Sequence, residues 1–205
     1  MTTGLARDIL DLTGEHILIV VISMVIAILI GVPTGILLSR RANLRPWLLG
    51  FAGVMQTVPS LALFGLLIPI QYIGGIGKRT AIVALILYAL LPILRNTLTG
   101  ILEVNPAVRE SAIAMGMTDR QLLWQVEFPL AARTILAGIR IATVTTVGTA
   151  TIAAAIGGGG LGVFIFRGIA SLDKTQMLAG AVPAALLALL CDGGLGWIEK
   201  RFAVS

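Results

Sequence analysis

The sequence predicts an all-α, polytopic membrane protein with five core transmembrane helices. Three observations carry that expectation. Of 205 residues, 57% are apolar and only 12% charged, about half the charged share of a typical soluble domain. Mean hydropathy is +0.99, more apolar surface than a water-soluble fold of this size can hide. The apolar residues are also gathered into five long runs, and backbone groups in hydrocarbon must be bonded within their own segment, so each run is a helix.

A spanning helix needs roughly 20 apolar residues, at 1.5 Å each, to cross about 30 Å of hydrocarbon. The first run, about 17–39, follows a polar stretch in which Arg7 is outnumbered by Asp8, Asp11 and Glu15. Without a basic leader or a small-residue cleavage site it reads as a retained anchor, not a signal peptide. The second, third and fifth runs are about 47–70, 80–99 and 175–197. The fourth, about 130–156, would be about 40 Å long as a helix. Its first turns are therefore expected to stand in the cytoplasm. Pro33, Pro59, Pro92 and Pro183 lie within spans, where neighbouring helices can re-satisfy the freed carbonyls. Trp47, Tyr72 and Trp197 fall at span ends, the depth that amphipathic rings prefer. No linker, low-complexity tract or internal repeat divides residues 1–205, which read as a single domain.

Orientation follows from the bias of Lys and Arg toward the cytoplasm. With the N-terminus outside, the inner segments hold Arg40, Arg41, Arg45, Arg95, Arg109, Arg120, Arg133, Lys200 and Arg201. The outer ones hold Arg7, Lys78, Arg79, Arg167 and Lys174. Nine against five favours an outer N-terminus and a cytoplasmic C-terminus, as does the odd span count. The net charge of +5 is spread over short loops without a basic patch interleaved with aromatics, so nucleic acid is set aside.

Arg140 and Asp192 lie well inside apolar runs. A mid-bilayer arginine costs about 2.5–3.5 kcal/mol on insertion scales, so Arg140 is expected to snorkel to the interface or pair across a subunit contact. Asp192, near Glu199, Lys200 and Arg201, reads as an ion-pair or interfacial residue. Thr143, Thr146 and Thr149, three apart on the fourth run, either pack against other helices or turn a hydroxyl stripe toward a polar path.

Catalytic chemistry finds no foothold. A single histidine, His16, can make neither a metal site nor a general base alone, and Cys191 has no disulfide partner. "GGIGKRT" at 74–80 resembles a phosphate loop, but its threonine comes one residue late. "GGGGLG" at 157–162 satisfies G-x-G-x-x-G, but follows a membrane helix where a strand is needed. The expectation is that no cofactor or metal binds here and that nucleotide is not bound by this chain.

The polar interruption at about 105–129 is the strongest functional signal. Asn105-Pro106 marks a helix start. Val108, Ala112 and Met115 then share a face, and Gly116 supplies a left-handed stop. Thr118-x-x-Gln121 is a capping box for a second helix carrying Leu122, Leu123 and Val126, and Pro129 opens the next span. Two short helices at a glycine corner, with an apolar face on the cytoplasmic side, suit a groove in another protein.

This segment resembles the coupling signature of ABC-importer permeases, E-A-A-x-x-x-G followed after nine residues by I-x-L-P. The matching residues are Glu110, Ser111, Ala112, Gly116, Val126, Phe128 and Pro129, with Ser for Ala, Val for Ile and Phe for Leu as departures. "QTVPSLALFGLLIPI", "ALLPILRNTLTGI", the stretch from Ala137 to Ile169 and the closing "GWIEKRF" look like the osmoprotectant branch, which handles glycine betaine, carnitine and choline. The resemblance implies a type I importer permease fold in a bacterial cytoplasmic membrane. It implies a second permease chain, identical or not, two ATPase subunits that bind ATP and Mg, and an extracytoplasmic substrate-binding protein. This chain would then be a translocation subunit and no enzyme. The resemblance also places Gly157, Gly158, Gly159, Gly160 and Gly162 at the outer gate, with a flexible outer loop as the alternative. Gln56, Thr57 and Ser60, beside Pro59, are the polar pathway candidates, interhelical hydrogen bonds being their other reading. Only 5% of residues are aromatic, too few for an evident cage around a quaternary ammonium. A permease for another small solute such as an amino acid, a self-contained channel or ion-coupled carrier, and a membrane assembly factor are the alternatives.

Overall fold

The computed structural model describes residues 2–71 and 73–202, so Tyr72 lies outside the described residues. Among them every regular element is helical: α1 (Thr2–Arg40), α2 (Arg45–Thr57), α3 (Ser60–Leu67), α4 (Lys78–Leu102), α5 (Pro106–Ala114), α6 (Asp119–Gln121), α7 (Phe128–Ala150), α8 (Gly162–Ser171) and α9 (Lys174–Arg201). Four helices are long and apolar enough to cross a membrane, and the bent pair α2–α3 makes a fifth candidate.

The helix of the first run begins far earlier than residue 17. The polar stretch before it contains no proline, and its Thr13 hydroxyl donates back to Ile9 O at 2.6 Å, so α1 continues through it. The second run is not one helix. Pro59 has no N–H to give and crowds the preceding residue out of helical space; Val58 accordingly adopts ψ 128, and α2 and α3 meet at 104°. Pro92, by contrast, stays inside α4. The carbonyl it leaves free, Tyr88 O, accepts from Gln56 Nε2 at 3.4 Å. The Tyr88 hydroxyl in turn donates to Val58 O at the α2–α3 break.

α4 is the centre of the bundle, packed by α1, α2 and α7. Small residues set the spacing. A Cβ on Gly31 would stand 2.7 Å from Ile93 Cγ2, one on Gly35 2.6 Å from Thr97 Cβ, and one on Gly138 2.5 Å from Asn96 Cβ. Close backbone approach of this kind holds helices together in lipid, where burial of apolar surface adds little. Phe64, Leu85, Ile93 and Val147 fill the resulting core.

The fourth run also differs from expectation. Its helix is continuous from Asp119 to Ala150, with a widened π turn at Leu122–Glu127. The second helix of the polar interruption is therefore the first turns of this span, not a separate element. After Ala150 the chain tightens into a 3₁₀ turn, Ile152–Ile156. α8, ten residues and too short to count as a span in sequence, folds back on α9 as a hairpin. α1, α4 and α9 run one way and α7 against them. Glu15, Lys78 and Gly160 consequently meet at one end, and Arg40, Arg109 and Glu127 at the other.

Candidate functional site

The corner at 105–129 is built by local rules. Asn105 Oδ1 accepts from Ala107 N at 2.9 Å, and Pro106 occupies the first helical position, where its missing N–H costs nothing. α5 ends in a Schellman motif: Gly116 N donates to Ile113 O at 2.9 Å and Met117 N to Ala112 O at 3.2 Å. Gly116 has φ 83, the left-handed conformation that favours glycine. Thr118 then closes the capping box with Gln121, its N–H donating to Gln121 Oε1 at 2.8 Å.

Of the signature residues, Ala112 is buried, Val126 and Phe128 are half-buried, and Glu110, Ser111, Gly116 and Pro129 are exposed. Val108, Ile113 and Met115 project apolar side chains from α5, Met115 being 73% exposed. The expected common face of Val108, Ala112 and Met115 is present: Ala112 is buried at its floor, and Val108 and Met115 stand exposed on either side. A groove of about 330 Å³ runs between Val108, Ser111, Met115 and Val126.

Behind the corner lies a residue that sequence reasoning missed. Glu127 is 0% exposed. Arg109 Nε lies 2.9 Å from its Oε1, and Arg40 Nη2 donates to its Oε2. Arg109 also donates through Nη2 to Ile101 O at 3.1 Å. Because two arginines share this carboxylate, loss of either leaves Glu127 paired with the other. The signal in the sequence was an acidic residue inside an apolar span start, but its partner Arg40 is 87 positions away.

Arg140 finds carboxylate partners within the chain. Its Nε and Nη2 donate to both oxygens of Asp192 at 2.7 and 2.8 Å, and Nη1 donates to Glu199 at 3.2 Å. The fork ties α7 to α9 within the chain, lying against Gly196, where a Cβ would come within 3.1 Å of it. A planar donor fork matched by a carboxylate is the strong form of this interaction.

Three of the polar pathway candidates bond to backbone carbonyls. Gln56 spends its amide on Tyr88 O, Thr57 donates to Val54 O of its own helix at 2.8 Å, and Ser60 opens α3 after Pro59. Thr143 donates to Ile139 O at 2.8 Å, Thr146 is buried, and Thr149 is half-buried. Helix packing therefore describes Thr146, and the open face of α7 carries Ile141 and Thr145 instead.

At the far end, Gly157, Gly159 and Gly160 all have positive φ. Gly160 N donates to Glu15 Oε2 at 3.2 Å, and Lys78 Nζ donates to Glu15 Oε1 at 2.8 Å. His16 lies beneath, its Nε2 donating to Val147 O at 3.1 Å. Gly158 packs on Ala153, and Gly162 begins α8. This loop is pinned to α1 and α4 at the end of the bundle opposite the corner.

Residues 23–204 match the family described as binding-protein-dependent transport system inner membrane component. The chain belongs to that family. Family members similar to it include the glycine betaine/carnitine/choline transport system permease protein OpuCB of Bacillus subtilis, 43% identical over 95% of this chain and 88% of its own. The osmoprotectant import permease protein OsmW of Salmonella typhimurium is 43% identical over 95% and 89%. Among solved structures, the MetNI methionine ABC transporter in an inward-facing conformation superposes with TM-score 0.89 at 24% identity, covering all of both chains. An amino acid ABC transporter gives 0.80 at 17% identity, over 98% and 96%. At those identities the likeness speaks to the fold, which is that of a type I ABC importer permease.

Proposed function

We propose that this chain is the membrane permease of an ATP-driven importer for quaternary-amine osmoprotectants such as glycine betaine, carnitine or choline. The observation that carries the reading is the exposed corner at 105–129: a rigidly capped helix with outward apolar side chains, seated directly on the ends of spanning helices. The names borne by relatives at 43% identity support the substrate class. In this reading the corner faces the cytoplasm and the N-terminus lies outside. A pair of permease chains, identical or not, sits above two ATPase subunits that bind ATP and Mg, and a binding protein delivers ligand to the opposite face. This chain supplies the passage and no catalysis.

The geometry supports a mechanical route. From the capping box to Ala150 the helix is one rod of 32 residues, about 48 Å at 1.5 Å per residue. A partner closing on α5 and the start of this rod tilts its far end, where the glycine loop hangs. Glu110, Ser111, Ala112 and Gly116 with Val126, Phe128 and Pro129 are the residues through which the ATPase acts. Gly157 to Gly160, with Gly162, form the outer gate, and the polar side chains of Gln56, Thr57, Ser60, Thr143 and Thr149 remain pathway candidates. In a chain with Cys191→Ser, Met115→Cys should cross-link to the ATPase subunit and resist an impermeant thiol reagent in intact cells. Ile76→Cys, 81% exposed at the other end, should be labelled. The reverse pattern would refute both the docking site and the orientation.

A further inference from the structure

We infer that Glu127 is a positioning residue that carries movement of the docking corner into the first spanning helix; this rests on the importer reading above. One buried carboxylate joins four segments. Its Oε2 accepts from Arg40, the last residue of α1. Its Oε1 pairs at 2.9 Å with Arg109 of α5, which also donates to Ile101 O in the last turn of α4. Glu127 itself is the residue before α7. α1 packs on α4 and α7, so Arg40 is its ionic connection to the corner.

Two features separate this node from an ordinary surface ion pair. Glu127 is 0% exposed, and a buried ion pair is seldom the most stable way to fill a space, since apolar residues of similar volume do as well or better. What it supplies is a fixed geometry between charges. The second feature is the π turn at Leu122–Glu127, which ends on this residue. Such widened turns are rare and frequent at functional sites. Glu127, the last residue of that turn, lies between the two arginines. Two cations share one anion, so each link can be cut separately. Loss of Arg40 frees α1 and leaves the Arg109 pair that holds α5.

The test uses the complete complex of permease, ATPase and binding protein in proteoliposomes, with glycine betaine as the probe and ATP hydrolysed per molecule taken up as the readout. For Arg40→Gln we expect an assembled complex that hydrolyses ATP within about twofold of wild type while uptake falls about tenfold, a change typical of coupling between sites. Arg40→Lys, which keeps the charge, should restore most of the uptake. Glu127→Gln should change the ratio in the same direction. If it fails to assemble, Arg40→Gln decides, because Arg40 is 38% exposed and its loss leaves the core intact. An unchanged ratio in Arg40→Gln, or hydrolysis and uptake falling together in an intact complex, overturns the inference. A wild-type complex that hydrolyses ATP without importing glycine betaine, carnitine or choline would count against the importer reading instead.

Discussion

Gly116 stands at φ 83 with open space where a Cβ would lie, so a side chain there is opposed by backbone strain alone, about 1–2 kcal/mol. Gly116→Val should therefore leave membrane insertion intact, deform the corner and abolish uptake; normal uptake in this variant would dismiss the corner as a docking element. Glu110→Lys reverses an exposed charge on α5 without touching any packing, and is expected to have the same effect on uptake with the fold unchanged. Arg140→Met removes the fork that holds both Asp192 oxygens, and should lower the thermal midpoint of the purified chain in detergent. These positions differ in how readable they were. Gly116, Asn105 and Thr118 follow rules that act over three or four residues, so the spacing alone foretold their geometry. Glu127 and the pairing of Arg140 depend on helices brought together from distant parts of the chain, and no local pattern encodes that.

The elements were legible where length and hydropathy decide them and obscure where a single residue does. α4 and α9 are uninterrupted apolar helices and lie where the hydropathy runs lie. Pro59 and Pro92 look alike in sequence, yet one breaks its span and the other does not. Gln56 takes up the carbonyl that Pro92 frees, and that partner becomes visible only once α2 lies on α4. α8 escaped notice because ten residues cannot span a bilayer. The spacing of α4 and α7 depends on Gly138, whose added Cβ would meet Asn96 Cβ at 2.5 Å and Pro92 O at 2.8 Å. Gly138→Val should cost about 1–3 kcal/mol, the usual range for overpacking, read as a lower unfolding temperature in detergent. An unchanged midpoint would mean that the helices can separate freely there.

Across the whole molecule the two polar regions occupy opposite ends. α1 alone separates Glu15, beside the glycine loop, from Arg40, at the corner, by 25 residues, or about 37 Å of helix. The ends are joined by rods: α4, packed on nearly all sides, and the long helix through α7. That arrangement suits a protein whose driving force arrives at one face and whose gate opens at the other. The class and the corner were readable because membrane helices and capping motifs follow short-range physics. The substrate was not, because a sequence with only 5% aromatic residues offers no evident cage around a quaternary ammonium. The most direct test reconstitutes the chain with its ATPase and binding protein and follows radiolabelled glycine betaine, carnitine and choline into vesicles. We expect uptake of at least one of them, dependent on ATP and on all the partners together. Uptake by this chain alone, or none of the three by a complex that hydrolyses ATP, would contradict the account.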